Sequence, residues 1–275
     1  MEFLHSFILG IIQGLTEFLP ISSSAHLAVF PDILGIRLDF LDSLAFTVAL
    51  HAGTLVAVIF YFRKKLGVLI VSFFRGIKDS GERKTADFKM GMYIIAATIP
   101  AVIAGLFFEG LIEDFFRNCN LCIAVILIIF GALLLFADKK GGKERQLGAI
   151  TLKDALIIGL FQALAVFPGV SRSGITMTAA LFKGYRREDA AEFSFLLSIP
   201  VILGAVALKS KEILAQGGGE NLIALAIGFV TALVSGFFAI KFLLNFVKKF
   251  SYASFAVYRF VLGAAIILLA VLKII

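Results

Sequence analysis

Long apolar runs separated by short charged segments dominate the pattern of this 275-residue chain. Six of the runs are near the length of about 20 residues that a helix needs to cross a bilayer. Spanning segments are helices or closed barrels, because lipid offers no hydrogen bonds to the backbone. The alternating strands of roughly ten residues that are typical of a barrel do not occur in the sequence. The pattern therefore predicts six transmembrane helices, at about 43–62, 91–108, 120–137, 190–208, 222–240 and 254–272.

Two further apolar regions, residues 3–41 and 154–183, are interrupted by polar residues and proline. Pro20 and His26 lie within the first region, and Pro168 lies within the second. Each region is too short for two crossings and too interrupted for one. A re-entrant hairpin fits such a region, because non-helical backbone at membrane depth is tolerated where it is buried in protein or lines a wet cavity. We therefore expect one re-entrant helical hairpin in each half of the chain.

The basic residues predict how the helices are oriented. Of the 26 Lys and Arg residues, 19 lie in four segments, 63–89, 138–153, 183–189 and 241–249. Six crossings and two hairpins place all four segments on one face of the membrane. Cytoplasmic loops carry an excess of Lys and Arg, so this face is expected to be cytoplasmic and both termini to lie outside. The opposite face then holds Arg37, Arg117, Lys209, Lys211 and Lys273.

The two halves of the chain predict an inverted repeat. Each half contains one hairpin and three crossings, an odd number, so the second half is inverted relative to the first. The hairpins also begin alike, with GIIQ before Pro20 and GLFQ before Pro168. Broken helices of inverted repeats meet near the membrane midplane and build a polar site there. We expect an all-α integral membrane protein with a single polytopic domain over residues 1–275, repeat one at about 1–140 and repeat two at about 150–275.

The composition is that of a membrane protein, and this accounts for the positive net charge of the chain. The chain is 60% hydrophobic, with a mean hydropathy of +1.00 and 30 Phe residues. Its formal net charge of +7 is explained by the basic loops, so no nucleic-acid partner is expected. Cys119 and Cys122 form a lone CxxC, which we interpret as two small apolar residues at a helix start, with an extracytoplasmic disulfide as the alternative.

The first interrupted region contains QGLTEFLPISSSAH, residues 13–26. Gln13 and Glu17 are four residues apart and therefore lie on one face of a helix. A carboxylate at membrane depth costs roughly 2.5–3.5 kcal/mol, so it is usually paired or functional. The structural alternative is that Glu17 holds the hairpin, by capping it or by pairing with Arg172. The two interpretations are compatible.

Three serines follow Pro20 and precede a second short helix. Capping of the helix N-terminus explains one of them, and the other hydroxyls exceed what a cap requires. Free backbone N–H groups and the helix dipole attract an anion at this point. His26 lies in the first turn, where it can face the same anion, although a membrane histidine is also often a plain hydrogen-bond bridge. The candidates for binding the anion are Ser22, Ser23, Ser24 and His26.

The second interrupted region contains PGVSRSGIT, residues 168–176. Gly169 and Gly174 allow a tight turn with close backbone approach. Arg172 supplies a permanent charge with a planar fork of donors that suits phosphate. Its partner is expected to be Glu17, a bound anion or both. Further hydroxyls come from Ser171, Ser173 and Thr176.

Together the two motifs predict phosphoryl chemistry. Hydroxyls, helix N-termini, a histidine and an arginine form a site for an anion such as phosphate. Gln13 and Glu17 offer oxygen ligands of the kind that Mg²⁺ and Ca²⁺ prefer. Positioning and charge neutralisation, which these residues supply, contribute most of the catalysis in phosphoryl transfer. His51, also at membrane depth, either faces this site or bonds a neighbouring helix.

Both stretches resemble the motifs of the undecaprenyl-diphosphate phosphatase family, also called the bacitracin-resistance family. Its first motif has an acidic residue or Gln, three residues, Glu, and then Pro-x-Ser-Ser and His, as in QGLTEFLPISSSAH. Its second motif, Pro-Gly-x-Ser-Arg-Ser-x-x-Thr, matches PGVSRSGIT without a mismatch. The similarity extends over the whole chain in length and topology. One departure is Gln13, where many members have Glu, so a mechanism that needs two carboxylates there does not apply.

The resemblance implies a multi-pass enzyme of the bacterial plasma (inner) membrane, with its active site open to the extracytoplasmic side. Such an enzyme removes the terminal phosphate of a prenyl diphosphate lipid, undecaprenyl diphosphate, and so recycles the lipid carrier for peptidoglycan synthesis. Members depend on Mg²⁺ or Ca²⁺ and confer bacitracin resistance when overproduced. Carried onto this chain, the catalytic residues are Glu17, Ser23, His26 and Arg172. The phosphate-binding residues are Ser22, Ser24, Ser171, Ser173 and Thr176, and the metal-binding residues are Gln13 and Glu17.

Two mechanisms and two classes of function stay open at this point. Either Ser23 or His26 attacks the terminal phosphorus, and water then hydrolyses the phosphoenzyme. Inverted repeats with broken helices are also typical of secondary transporters, so a transporter or flippase for an anionic lipid phosphate is the alternative. A nucleophile at attack geometry distinguishes an enzyme from a carrier. Membrane lipids are the expected surroundings, and a homodimer is compatible with the sequence.

Overall fold

The computed structural model describes residues 1–33, 43–116, 119–215, 221–272 and 274, and this part of the chain is helical, without β-strands. Ten α-helices run through the described part. The helices of the first half are α1 (Glu2–Phe18), α2 (Ser23–Ile33), α3 (Leu44–Lys78), α4 (Ala86–Phe116) and α5 (Asn120–Lys140). The helices of the second half are α6 (Leu152–Ala163), α7 (Arg172–Phe182), α8 (Arg187–Ala215), α9 (Leu222–Phe246) and α10 (Ala253–Val271).

Six of the described helices, α3, α4, α5, α8, α9 and α10, are long and apolar enough to cross a membrane. They correspond to the six predicted crossings, so that prediction is confirmed in length and composition. Several helices continue past their apolar runs, and α3 extends to Lys78. Lys, Arg and Leu are good helix formers, so the charged residues that leave the apolar run prolong the helix instead of ending it.

Two bends separate the short helices, and both contain a proline. The first tip, defined as residues 19–24, connects α1 to α2 and contains Pro20. The second tip, defined as residues 167–173, follows α6 and a short 3-10 turn and leads into α7, and it contains Pro168. Proline has no N–H and a fixed φ, so it ends the helix before it. The 11 residues of α2 and of α7 are too few to cross a bilayer.

Each short leading helix packs on a long helix of the other half, α1 on α9 and α6 on α4. Small residues allow the close approach. A methyl group at Gly10 would overlap with the Thr231 hydroxyl, and one at Gly14 would overlap with that of Ser235. Small-residue contacts of this kind are typical of helix pairs in membranes. The packing places the C-terminal end of α1, with Glu17, inside the helix bundle.

Ion pairs join the start of α8, which begins in basic segment 183–189, to two other basic segments, 63–89 and 138–153. Lys65 pairs with Glu192 at 2.5 Å, which joins α3 to the start of α8. Arg187 pairs with Asp138 at 2.6 and 3.0 Å, which joins α8 to the end of α5. The Tyr252 hydroxyl donates to the Arg187 carbonyl at 3.0 Å, which adds the start of α10. Three residues predicted for the opposite face lie outside the described residues, namely Arg37, Arg117 and Lys273.

Asp154, near the start of α6, is the centre of a second polar cluster, between the loop before α6 and the turn before α8. Its carboxylate accepts hydrogen bonds from Arg145 at 2.7 Å, Thr151 at 2.8 Å and Tyr185 at 2.9 Å. The Lys183 amine lies 3.2 Å away. Burial raises the pKa of this carboxyl, but the hydrogen bonds from Arg145, Thr151 and Tyr185 outweigh burial and hold the pKa well below its usual range. The carboxylate therefore ties the loop before α6 to the turn between α7 and α8.

Cys119 and Cys122 are joined by a disulfide at the start of α5. Our interpretation of them as two small apolar residues was therefore wrong, and the alternative of a disulfide is the one observed. The two residues are three apart at the helix start, with their Cα atoms 5.2 Å apart, which is within reach of a disulfide. The sequence placed both residues at a helix start, but it did not show that the two side chains point toward each other.

We expect Asp154→Asn to lower the free energy of unfolding by about 1–3 kcal/mol, because the amide leaves part of the buried hydrogen-bond set unsatisfied. The pKa of Asp154 is lower in the folded than in the unfolded protein. Its contribution is therefore fully present above the unfolded pKa of about 4 and is lost as the pH falls through the folded pKa. Thermal unfolding in detergent, between about pH 7 and pH 3, measures both effects.

The control is Asp87→Asn, which changes an exposed carboxylate in another basic segment. It should leave the Tm and its pH dependence unchanged. An equal loss in both variants would mean that the Asp154 cluster does not stabilise the fold.

Candidate active site

The two tips touch, so the two motifs belong to one site, as expected from the sequence. Ser24 Oγ accepts a hydrogen bond from the backbone N–H of Gly169 at 3.4 Å. In the other direction, the Ser173 hydroxyl donates to the backbone carbonyl of Leu19 at 3.1 Å. Each tip therefore uses a serine side chain to hold the backbone of the other tip.

The two tips repeat one strained local geometry. Ser22 and Ser171, which directly precede α2 and α7, have φ angles of 74° and 69°. Each hydroxyl accepts a hydrogen bond from the backbone N–H three residues on, at 3.4 and 3.1 Å. Each also lies close to the serine hydroxyl two residues on. The distance is 3.1 Å from Ser22 to Ser24 and 3.2 Å from Ser171 to Ser173. Positive φ in a residue other than glycine costs of the order of 1–3 kcal/mol and is concentrated at functional sites.

Glu17, at the end of α1, is the residue on which both tips converge, and it is only 8% exposed. Its Oε2 accepts hydrogen bonds from Gln13 Nε2 at 3.0 Å and from Ser23 Oγ at 2.7 Å. Its Oε1 accepts one from Arg172 Nη2 at 2.5 Å. His51 Nε2 lies 3.9 Å from Oε2. We call these five side chains, Gln13, Glu17, Ser23, His51 and Arg172, the Glu17 cluster.

Two buried polar atoms of the Glu17 cluster have no hydrogen-bond partner among the described residues, Gln13 Oε1 and Arg172 Nη1. Buried polar atoms are normally satisfied, so these two indicate places for a ligand. Arg172 Nη1 is a charged donor that fits a phosphate oxygen. Gln13 Oε1 is an acceptor beside a carboxylate and fits a hard divalent cation, which prefers oxygen ligands. The residues present therefore fit both an anion and a cation.

His26, in the first turn of α2, forms its hydrogen bonds with Ser22 and Tyr258, which are not partners of Glu17. Its Nδ1 is 2.7 Å from the Ser22 carbonyl, and its Nε2 is 2.7 Å from the Tyr258 hydroxyl. A carbonyl only accepts, so the proton of the neutral ring lies on Nδ1 and Nε2 accepts from Tyr258. The ring is stacked between Phe30 and Tyr258, at 5.3 and 5.6 Å between centroids. Both ring nitrogens of His26 are thus engaged.

Thr176 is not brought to the Glu17 cluster. Its hydroxyl lies 2.7 Å from that of Ser194 on α8 and 2.9 Å from the Arg172 carbonyl. The side chain therefore holds α7 against α8, behind the second tip. The other predicted phosphate-binding serines all lie on the tips, and they are Ser22, Ser24, Ser171 and Ser173.

The sequence motifs predict no role for Arg259 on α10. It is fully buried. Its guanidinium donates to the carbonyls of Gly169 at 2.8 Å, Val170 at 3.1 Å and, more weakly, Pro20 at 3.5 Å. A further bond goes to Leu127 on α5 at 3.1 Å. An arginine at membrane depth was the available signal, but only the fold shows that it joins the two tips from behind.

Comparisons with known proteins show the family to which the chain belongs. The family model described as "Bacitracin resistance protein BacA" matches residues 6–265. A Geobacter sulfurreducens protein named undecaprenyl-diphosphatase is 46% identical to the chain, over 97% of this chain and 98% of its own. Proteins of the same name from Teredinibacter turnerae and Geotalea daltonii are 45% and 47% identical, over 96% of this chain and 97% and 96% of their own. The family match, over residues 6–265, includes both tips and most or all of each described helix.

We expect Arg259→Lys to lower the Tm in detergent and to cost about 1.5–3 kcal/mol of stability. Lysine keeps the charge but lacks the planar fork that reaches several carbonyls at once. Arg63→Lys, at a residue whose hydrogen bond to the Phe60 carbonyl is exposed, is the matched control and should be neutral. A Tm for Arg259→Lys equal to that of the control would show that the guanidinium does not hold the tips.

Proposed function

We propose that this chain, which belongs to the bacitracin resistance protein family, is a membrane phosphatase that hydrolyses undecaprenyl diphosphate to undecaprenyl phosphate and inorganic phosphate. The names of its relatives support this substrate. The structural observation that carries the proposal is the contact of Glu17 with both the Ser23 hydroxyl and Arg172. A base, a nucleophile and a phosphate-binding cation thus lie together. The product is the lipid carrier for peptidoglycan synthesis, so the enzyme would serve cell-wall formation.

Ser23 is the nucleophile that the geometry favours. Its hydroxyl donates to Glu17 at 2.7 Å, which is the pairing of a nucleophile with its general base. His26, the other candidate, has Nε2 occupied by Tyr258 and has no bond to Glu17. In the first step the Ser23 oxygen bonds to the terminal phosphorus, its proton passes to Glu17, and undecaprenyl phosphate leaves. Water then cleaves the phosphoserine and releases inorganic phosphate.

Arg172 and the two helix N-termini stabilise the charge that develops on the phosphate. The free Nη1 of Arg172 is a donor for an equatorial oxygen, while Nη2 stays with Glu17. The first turns of α2 and α7 begin at the two tips, and helix N-termini present free N–H groups and a positive dipole end to anions. Preorganised donors of this kind are commonly the largest contribution to catalysis.

A divalent cation, Mg²⁺ or Ca²⁺, fits beside the Glu17 carboxylate. Gln13 Oε1 and Glu17 are the residues that would hold it. The described residues include no group of three or more His, Cys, Asp or Glu side chains able to hold a metal ion by themselves. Ions of this class are often bound by one or two protein oxygens together with substrate phosphates. The bound ion would supply positive charge to the diphosphate, which supplements Arg172.

The proposal includes an architecture of two inverted repeats with re-entrant hairpins, in the plasma membrane and open to the extracytoplasmic side. The exchanged packing of α1 on α9 and α6 on α4 supports the repeat, because it relates equivalent helices of the two halves. The similar positive φ angles of Ser22 and Ser171 support it independently. A homodimer stays a prediction, which the mass of the protein in detergent would test.

Ser23→Ala should lower phosphate release from undecaprenyl diphosphate by at least about 1,000-fold, because the nucleophile is removed. Glu17→Gln should lower it by at least about 100-fold, because the general base is lost. Ser198→Ala is the control. It removes a buried hydroxyl on α8, outside the Glu17 cluster, and should retain activity. Rapid quench with a labelled terminal phosphate should yield phosphoserine at position 23.

Each other outcome of this experiment has a definite meaning. Label on His26 would overturn the assignment of Ser23 and leave the phosphatase intact. A folded wild-type protein that binds prenyl diphosphate but releases no phosphate, with or without divalent cation, would contradict the enzyme and favour a carrier of the lipid.

We expect that Mg²⁺ or Ca²⁺ raises the Tm of the Gln13→Glu variant by more than it raises the Tm of the wild type. The variant should also need a lower cation concentration for half-maximal phosphate release. A second carboxylate four residues before Glu17 adds charge to the cation site. Gln162→Glu is the matched control, because Gln162 is also buried and also has an unpartnered Oε1, but it contacts Ala97 and not the Glu17 cluster. A cation response that is equal in the two variants would place the cation elsewhere.

A further inference from the structure

His51, on α3, has one ring nitrogen facing the Glu17 carboxylate. Its other nitrogen, Nδ1, lies 2.9 Å from the backbone carbonyl of Thr47. A carbonyl oxygen only accepts, so the proton of the neutral ring lies on Nδ1, and Nε2 carries a lone pair. This Nε2 lies 3.9 Å from Glu17 Oε2, which is too long for a hydrogen bond. The ring is therefore held with an acceptor, and not a donor, facing the carboxylate.

The sequence left open whether His51 faces the site or bonds a neighbouring helix. Its Nδ1 bonds a carbonyl of its own helix, and among the described residues no hydrogen bond reaches its Nε2. The Gln13 side chain adds a further acceptor to the same cluster. Its Nε2 bonds Glu17 Oε2, while its Oε1 is buried without a partner. Three side chains thus bring acceptor atoms to one cluster, and two of these atoms have no donor.

A shared cation satisfies such a set of acceptors. Two ligands that each lie about 2.1 Å from one ion are at most about 4.2 Å apart. The separation of 3.9 Å between His51 Nε2 and Glu17 Oε2 is within that limit. Mg²⁺ and Ca²⁺ prefer oxygen ligands, whereas an imidazole nitrogen suits divalent transition ions. A set of one carboxylate, one amide oxygen and one imidazole therefore favours a transition ion.

His51 lies on the more accessible side of the Glu17 cluster. Its side chain is 32% exposed, compared with 7% for that of Glu17. An ion that approaches along the histidine therefore reaches the carboxylate without disruption of the buried ion pair with Arg172. Three protein ligands also leave coordination positions for water or for oxygens of a phosphate group.

We propose that His51 is a ligand of the cation site, together with Glu17 and Gln13, and that the site binds a divalent transition ion such as Mn²⁺ in preference to Ca²⁺. This proposal deepens the function proposed above and rests on it for the presence of a cation. The carboxylate and the amide oxygen hold any hard divalent ion. The imidazole adds selectivity between metals, which the oxygen ligands alone do not provide.

Mn²⁺ bound to the resting protein in detergent reports its own ligands by electron paramagnetic resonance. The electron spin echo should show modulation from a directly bound imidazole nitrogen in the wild type and lose it in His51→Gln. Isotopic labelling of histidine nitrogen should change the modulation. The matched control is His5→Gln, because His5 Nδ1 also has no hydrogen-bond partner but lies about three turns before Glu17 on α1. This control should keep the modulation.

Affinities test the selectivity. We expect His51→Gln to weaken Mn²⁺ binding by about tenfold or more, because loss of even an outer partner of a metal ligand costs 10–100-fold. Ca²⁺ binding should change by less than about twofold, because the oxygen ligands remain. Titration with Mn²⁺, and competition by Ca²⁺, measure both values. An equal loss for the two ions, no Mn²⁺ binding, or bound Mn²⁺ without nitrogen modulation in the wild type would overturn the proposal.

These measurements separate the proposal from the proposed function, because they do not depend on turnover. Nitrogen modulation from His51 in a protein that releases no phosphate from any prenyl diphosphate would contradict the phosphatase and leave the ligand assignment intact. Phosphate release that requires a divalent cation, without nitrogen modulation from bound Mn²⁺, would overturn the role of His51 and leave the phosphatase intact.

Discussion

The ion pair between Glu17 and Arg172 is the interaction on which the rest of this structure depends. It joins two segments that lie at the ends of helices from opposite halves of the chain, with an N–O distance of 2.5 Å. Removing one partner of a buried pair costs about 3–5 kcal/mol, because the other charge is left without compensation. The two tips are therefore stable in the bundle only when they lie together. The same ion pair therefore stabilises the packing of the two halves and forms the centre of the candidate site.

The side chains around the ion pair bond the backbone of the two tips as well as other side chains. Ser24 and Ser173 each bond the backbone of the opposite tip, and Arg259 donates to carbonyls of both tips from behind. These contacts offset the strain of the positive φ angles at Ser22 and Ser171. The result is a rigid pair of helix N-termini, which is what electrostatic stabilisation of a phosphoryl group requires, because donors that are already oriented need no reorganisation during reaction.

Helix α1 separates two chemical environments that the proposed substrate also combines. Gln13 and Glu17 lie on its polar face, and Leu15 lies on the opposite, apolar face. A prenyl diphosphate has the same division between a charged head and a hydrocarbon chain.

The sequence by itself determined the six helices that are long and apolar enough to cross a membrane, the two bends at Pro20 and Pro168, and the residue types of the site. Apolar run length, proline and polar residues within apolar runs are local properties of the chain. It also predicted the meeting of the two motifs, through the parity of the crossings. Only the tertiary structure decided that Ser23 and not His26 bonds Glu17, that Thr176 bonds Ser194, and that Arg259 supports both tips. The disulfide of Cys119 and Cys122 likewise required the directions of the two side chains to be known. These details depend on the direction in which each side chain points relative to residues far away in sequence, and no local pattern specifies that direction.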